Sequence, residues 1–304
     1  MFRIENPTRL RRGLLVPCLL VVVAFASCSS ERSQPTEAAA QKTRTPGGGI
    51  AVAFVIAKDA EVVDFSGPWG VFEYVTVPDR EDTPFTLYTV AESTAPLRVS
   101  GGLQIIPDYS FANAPPPKVI VVPALGADPS PAMLAWLQKQ STSTELTMSV
   151  CNGAFVLAKA GLLAGKSATA HHGGYGLLAA NFPDVTVRRG ARFVDAGNVA
   201  TAGGLTSGID LALHVVERKF GRDVAEKTAL SLEYQGQGWK NPDSNAVYAQ
   251  RPVSTPEHPI CPVCEMEVDK TTALTGDYRG QKIFFCSAGC RKLFEASPER
   301  FPVP

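Results

Sequence analysis

Eight residues without a polar side chain, Ile50-Ala51-Val52-Ala53-Phe54-Val55-Ile56-Ala57, form the first strongly patterned stretch beyond the N-terminal region. An unbroken apolar run of this length predicts a strand buried on both faces, as in a parallel sheet covered by helices. Similar short runs predict strands at 85–90, 119–122, 146–150 and 168–171. Between or after them the apolar positions recur at helical spacing, which predicts helices at 69–75, 131–138, 154–163 and 175–180. Alternation of this kind implies an α/β fold with a doubly wound, mainly parallel sheet flanked by helices. Two further helices close the pattern. One spans 209–220, is amphipathic and stops at Gly221, a residue suited to a helix C-terminus. The other begins at Asp223-Val224-Ala225-Glu226, which reads as a capping box, and runs to about Tyr234.

The pattern breaks at both ends. Arg3, Arg9, Arg11 and Arg12 precede an apolar run over 13–26. A basic start and a short apolar run predict an export signal rather than a spanning helix. Phe25-Ala26-Ser27-Cys28 resembles a bacterial lipobox, in which Cys28 becomes the lipid anchor; the alternative is ordinary cleavage near Ala26-Ser27 with Cys28 left free. The expectation is an exported protein, lipid-anchored on the periplasmic or outer-membrane face of a bacterial membrane. Residues 29–48 are rich in Ser, Gln, Thr, Ala and Gly and predict a flexible linker. A second linker is expected at 241–257, where Gly, Asn, Pro and Ser accumulate. The organisation is then a signal at 1–28, a linker at 29–48, a sheet domain at 49–240, a linker at 241–257 and a small domain at 258–304.

Composition narrows the partners. A chain of 304 residues with 45% hydrophobic content can bury a large core. Basic and acidic residues balance at 29 each, so nucleic acid is not the expected partner, because phosphate binding shows as a basic surface. The seven cysteines are uneven: two lie in the leader, Cys151 stands alone and four cluster near the C-terminus.

Cys151 sits between the strand expected at 146–150 and an apolar helical run, with Gly153 allowing a tight turn. A nucleophile elbow has this geometry. A helix N-terminus would also stabilise a thiolate. A buried cysteine that merely packs is the competing reading.

At these residues the chain resembles the ThiJ/PfpI superfamily, the class I glutamine amidotransferase-like, flavodoxin-like domains. The resemblance rests on Ser149-Val150-Cys151-Asn152-Gly153-Ala154 with Ala160-Gly161-Leu162-Leu163-Ala164-Gly165-Lys166. It is supported by Asp64-Phe65-Ser66-Gly67-Pro68-Trp69, Ala168-Thr169-Ala170-His171 and Gly203-Gly204-Leu205-Thr206-Ser207-Gly208-Ile209-Asp210. Within the superfamily it is similar to isonitrile hydratases and to the sensor domains of AraC-type regulators. The resemblance implies Cys151 as nucleophile, Asp64 as acid/base carboxylate, His171 near the active cysteine, a small-molecule substrate and, as in many members, a homodimer. It implies no cofactor in this domain. Read without it, Asp64 fits a helix N-cap ahead of Gly67-Pro68, and His171 a strand-end residue bonded to backbone. Isonitrile hydratases carry Thr after the nucleophile, where this chain has Asn152, whose side chain and backbone N–H can still serve a developing anion. They also tend to carry Pro-Gly-Gly after the third strand; here the sequence is Pro123-Ala124-Leu125-Gly126.

Near the C-terminus, Cys261-Pro262-Val263-Cys264 and Cys286-Ser287-Ala288-Gly289-Cys290 place four thiols on two turns, a pattern suited to a tetrahedral soft metal ion. So small a domain needs a staple to fold. The segment resembles a YHS/TRASH-type metal-binding domain. That family relies on Cys264, Cys286 and Cys290, with Cys261 as an additional ligand candidate. All-thiolate ligation suits Zn²⁺ or Cu(I); two disulfides are the rival in an oxidising compartment. Three functions follow: an exported Cys-dependent hydratase or hydrolase carrying a heavy-metal module, a metal- or redox-handling protein in which Cys151 senses oxidation, and a non-catalytic ligand-binding domain.

Overall fold

The structure is a computed structural model that describes residues 48–301 and 303. The expected export signal, Cys28 and nearly all of the expected first linker lie outside the described residues. The apolar run at the start becomes β1 (Ile50–Val55), followed by α1 (Val62–Glu73) and β2 (Phe85–Ala91). A two-residue pair, β3 (Leu97–Arg98) with β4 (Gln104–Ile105), leads to β5 (Tyr109–Ser110), β6 (Val119–Val122), α2 (Pro131–Ser141), β7 (Leu146–Ser149) and α3 (Gly153–Lys159). Then come β8 (Ser167–Ala168), α4 (Tyr175–Asn181), β9 (Thr186–Val187), β10 (Phe193–Asp195), β11 (Val199–Ala202), α5 (Ser207–Phe220) and α6 (Arg222–Ser231).

Seven strands form one sheet in the order β10-β11-β7-β6-β1-β2-β5. Every neighbouring pair is parallel except β10 with β11. The sheet is doubly wound because alternate side chains of a strand must be buried on opposite faces. Val52 and Phe54 of β1 pack with α1, α5 and α6, whereas Ala53 and Val55 pack with α2, α3 and α4. This is the fold that the apolar runs predict.

Several local expectations need correction. The 168–171 run yields only the two-residue β8, paired with β9 outside the main sheet, and the antiparallel edge β10–β11 takes the place expected of it. Helix α1 begins at Val62, not near Trp69, and continues through Pro68. Asp64 is therefore inside the first turn and is not its N-cap; that position belongs to Glu61, whose side chain makes no capping bond. Asp223 is likewise in the first turn of α6 rather than capping it, since Gly221 stands at the N-cap position. Gly221 also closes α5, at φ 90°, with its N–H on the Glu217 carbonyl.

The C-terminal domain is a hairpin, β12 (Leu274–Tyr278) with β13 (Gln281–Phe285), followed by α7 (Ala288–Ala296). Ile283, Phe285, Phe294 and Phe301 pack around the cysteines as a small separate core. The stretch over 241–251 is laced to the sheet domain. Arg192 N–H donates to the Pro242 carbonyl at 2.5 Å, buried Asn245 accepts from Arg192 at 3.2 Å, and Arg189 Nε donates to the Ala249 carbonyl at 3.2 Å. All described residues belong to one compact unit.

Candidate functional site

Cys151 follows β7 and precedes α3 with φ 57°, the left-handed region that a non-glycine residue seldom occupies. Three backbone bonds hold it there. Cys151 N–H donates to the Gly203 carbonyl at 2.8 Å, Val150 N–H to Val122 at 3.0 Å, and Gly153 N–H to Val150 at 2.9 Å. A side chain at Gly153 would put its Cβ 2.2 Å from the Val122 carbonyl oxygen, so only glycine lets the turn pass so close to β6.

The thiol is buried, 7% exposed, and meets the carboxyl of Asp64, which is 0% exposed. The thiol is close enough to the carboxyl to alter its proton affinity. On the other side of the carboxyl, Ala124 N–H donates to Oδ2 at 2.9 Å, while Oδ1 has no partner. Burial raises the Asp64 pKa to about 7; the Glu61 charge adds to the rise, and the Ala124 and Cys151 hydrogen bonds oppose it. Burial and the Asp64 charge push the Cys151 thiol up to about 12, against hydrogen bonds from the backbone N–H groups of Asn152 and Leu205. The expected thiolate stabilisation by the helix N-terminus is thus outweighed: α3 spans seven residues, and the thiol is withdrawn from water beside an acid. At neutral pH this is a protonated thiol paired with a carboxyl poised near its midpoint, not the exposed low-pKa cysteine that an oxidation sensor requires.

Asn152 is exposed and directs its side chain at the turn before α4. A Cβ on Gly174 would lie 2.7 Å from Asn152 Oδ1. His171 caps that turn: its Nδ1 accepts the Gly173 N–H at 3.1 Å, and the ring lies against the Gly204 backbone. Burial and the adjacent His172 lower its pKa. Among the described residues no hydrogen bond joins His171 to the thiol. Cys151 and Asp64 are thus brought together; the Asn152 side chain is directed instead at the turn before α4, and His171 stands one layer out, packed against Gly204, next to the Gly203 carbonyl that holds the Cys151 N–H.

Three contributors were not anticipated from the sequence. Leu205, at φ 46°, aims its N–H at the sulfur. Glu61 lies within electrostatic reach of both Asp64 and Cys151 and accepts the Ser100 hydroxyl at 3.2 Å. Ala124 stands where Pro-Gly-Gly is usual and spends its N–H on Asp64. The Gly-Gly-Leu-Thr run was the available signal for Leu205 and the Pro123-Ala124 departure from Pro-Gly-Gly the signal for Ala124; nothing local marks Glu61. A cavity of about 350 Å³ opens at the carboxyl ends of β1, β2 and β6, with Leu125, next to Ala124, in its wall.

Asp210, in the last of the quoted motifs, has a structural place. Its buried carboxylate accepts from Arg192 at 2.6 Å, Tyr234 at 2.9 Å and Trp239 N–H at 2.8 Å.

The four late cysteines converge: the sulfurs of Cys261, Cys264, Cys286 and Cys290 all lie within 4.8 Å of one another. A tetrahedral zinc with bonds of about 2.3 Å places its sulfurs about 3.8 Å apart. Cys264 to Cys286 measures 3.3 Å and Cys286 to Cys290 3.5 Å, so the donor set fits a thiophilic ion. Two local devices build it. The Cys261 N–H and carbonyl bond Met266 and Glu265, closing a knuckle with Glu265 at φ 62°. Ser287 caps α7 through the Cys290 N–H, which puts Cys286 and Cys290 at a helix N-terminus. The thiols also resist ionising together. The Cys264 hydrogen bond pulls Cys261 down to about 5 and in turn pushes Cys264 up; burial pushes Cys290 up to about 12. A bound cation is what allows four thiolates to coexist.

Comparison with known proteins identifies both domains. The DJ-1/PfpI family profile matches residues 51–218 and the YHS domain profile residues 260–302. An isonitrile hydratase of Pseudomonas putida is 34% identical over 190 residues, covering 61% of this chain and 78% of that protein. The transcriptional regulator GbdR of Pseudomonas aeruginosa is 29% identical over 178 residues, but the chain spans only 48% of its length. A ThiJ/PfpI family protein from Pseudomonas syringae superimposes with a TM-score of 0.56 at 27% identity, covering 68% of this chain and 84% of that one. The DJ-1beta structure of Drosophila melanogaster, at a TM-score of 0.53 and 20% identity, shares the fold.

Proposed function

The chain belongs to the DJ-1/PfpI family and carries a YHS domain, and from that premise we propose that it is a Cys-dependent hydratase acting on a small electrophile of the isonitrile type. The observation that carries this is the buried pair of Cys151 thiol and Asp64 carboxyl, with one carboxyl oxygen unpartnered. A carboxyl whose pKa lies near 7 both takes and gives a proton at neutral pH, so it can compensate for a thiol that does not ionise by itself.

The proposed steps balance as follows. Asp64 takes the thiol proton as the sulfur bonds to the terminal isonitrile carbon, then delivers that proton to the same carbon. The product is a thioimidate. Water adds to this carbon, with Asp64 passing one of its protons to the substrate nitrogen. The carbon–sulfur bond then breaks, the hydroxyl proton returns to sulfur, and an N-substituted formamide leaves. The N–H groups of Asn152 and Leu205 face the sulfur as charge develops there. Conversion of an alkyl isonitrile to the formamide, followed by chromatography, tests the reading. Cys151→Ser is expected to lower turnover about a thousandfold with the circular dichroism unchanged. Equal turnover in the variant, or none in the wild type across a series of isonitriles, would refute it.

The YHS domain is proposed to hold one zinc or copper(I) ion through Cys261, Cys264, Cys286 and Cys290, the ion cross-linking a core too small to stand alone. Export and anchoring through Cys28 belong to the same proposal and rest on the basic start, the apolar run and the lipobox-like Phe25-Ala26-Ser27-Cys28. Expression in a bacterial host with radiolabelled palmitate is expected to label the protein, and Cys28→Ser to abolish the label; a labelled variant would refute anchoring at that residue.

A further inference from the structure

The turn into α4 has the cysteine knuckle on one side and the nucleophile elbow on the other. Gly176, in the first turn of α4, packs against the knuckle so closely that a Cβ there would lie 2.9 Å from Glu265 Cγ and 3.0 Å from the Cys264 carbonyl. Gly174, two residues earlier, packs as closely on Asn152, the neighbour of Cys151, and on the Phe155 ring, 3.1 Å from a Cβ. From a metal-ligand residue to the residue beside the nucleophile, the path is a single helical turn.

That turn is clamped to the C-terminal domain along its length. Arg189 makes two hydrogen bonds to the Glu265 carboxylate, at 2.5 and 3.3 Å, both side chains being mostly buried. The same guanidinium lies over the Tyr175 ring, 5.0 Å from its centroid, and the Tyr175 hydroxyl accepts the Gly190 N–H at 3.2 Å. At the other end of α4, Arg300 donates to the carbonyls of Ala179 and Ala180 at 3.4 and 3.3 Å. Ala180 itself belongs to the small core around the cysteines. On the elbow side, His172–Gly174 is a 3-10 turn that runs straight into α4.

We infer that the C-terminal domain is a positioning element of the Cys151 site, with Glu265, Arg189 and Gly176 as the positioning residues, so that the reactivity of Cys151 reports whether the four-cysteine cluster is loaded with metal. This rests on the reading of that cluster as a metal site. A bound ion fixes the knuckle that carries Glu265 and the Cys264 carbonyl. The knuckle fixes the first turn of α4, and this turn fixes Asn152 beside the thiol and His171 against Gly204. Loss of the ion frees the knuckle, loosens the turn and opens Cys151 to solvent. Where the coupling extends to binding it is reciprocal: a ligand at the Cys151 site alters the affinity of the cluster for metal by the factor by which metal alters the affinity for that ligand.

The test uses the purified full chain, zinc as the metal and iodoacetamide as the probe of Cys151. The alkylation rate of the Cys151 peptide is followed by mass spectrometry in zinc-loaded protein, after chelation, and after zinc is restored. Chelation is expected to speed Cys151 labelling about fivefold or more, the lower range of common site-to-site couplings, and restored zinc to reverse it. In Glu265→Gln, which keeps all four thiols, the zinc-loaded protein is expected to bind one zinc and to label Cys151 at a rate shifted toward the metal-free value. The Glu265→Gln comparison also decides the matter where chelation unfolds the whole chain. Zinc bound at one equivalent, with Cys151 labelling unmoved by chelation and by Glu265→Gln, overturns the coupling alone. A chain that binds no zinc overturns the metal reading and the coupling with it.

Discussion

Asp64 carries the most quantitative consequence of the site. Replacing it by Asn keeps size and shape and leaves the amide oxygen to accept the Ala124 N–H, which Oδ2 takes at 2.9 Å in the wild type. What the change removes is the charge. Burial raises the Asp64 pKa from the ordinary 3.8 to about 7. The folded-state value lies above the unfolded one, so the favourable contribution is complete below pH 3.8 and is lost as the pH rises toward 7. At about 1.4 kcal/mol for each tenfold change in proton affinity, the loss reaches about 4 kcal/mol at and above neutrality. Asn titrates nowhere in this range, so Asp64→Asn does not share the decline. Urea unfolding at pH 4.5 and 8.5, followed by tryptophan fluorescence, measures the difference. Trp69, Trp136 and Trp239 all lie in the sheet domain, so the signal reports that domain. The stability of the variant relative to wild type is expected to rise by about 3 kcal/mol between the two pH values, while turnover is lost. A gap that is the same at both would show that Asp64 is not held protonated by its surroundings, and the acid/base role would lose its physical basis.

Two further outcomes test other parts of the fold. Arg192→Met leaves the Asp210 carboxylate, whose side chain is 1% exposed, without its cation; an unfolding loss of about 3–5 kcal/mol is expected, and a loss below about 1 kcal/mol would mean that Tyr234 and the Trp239 N–H suffice alone. Replacing Cys286 and Cys290 together by Ser is expected to reduce bound zinc, measured by elemental analysis, from one equivalent to none, and retention of the metal would place the ligands elsewhere.

The parallel sheet was legible because each buried strand announces itself as an apolar run whatever it pairs with. The edge strands β10 and β5 and the internal β11 were not, since Phe193–Asp195 and Tyr109–Ser110 are too short to show a period and Val199–Ala202 carries small residues and a Thr in place of a strong apolar run. Helix α1 was read as starting late because Gly67 and Pro68 are local breakers, whereas the packing of Phe65, Val71 and Phe72 on the sheet carries the helix through them. The clustered thiols were legible through spacing: CxxC and CxxxC bring thiols together on single turns, and only the meeting of the two turns needs tertiary structure.

By itself, then, the sequence determined the α/β class, the cysteine at a strand-to-helix turn and the two pairs of closely spaced thiols near the C-terminus, because apolar periodicity and short-range spacing are properties of neighbouring residues. Only the tertiary structure decided the state of those groups. Whether Cys151 ionises depends on its burial and on a carboxylate brought from α1, which outweigh the local N–H groups. Whether 241–251 swings free depends on contacts to Arg189 and Arg192. And whether the C-terminal domain packs on the turn that adjoins Asn152, the neighbour of Cys151, depends on two glycines, at 174 and 176, whose meaning lies in what stands opposite each of them rather than in the residues on either side.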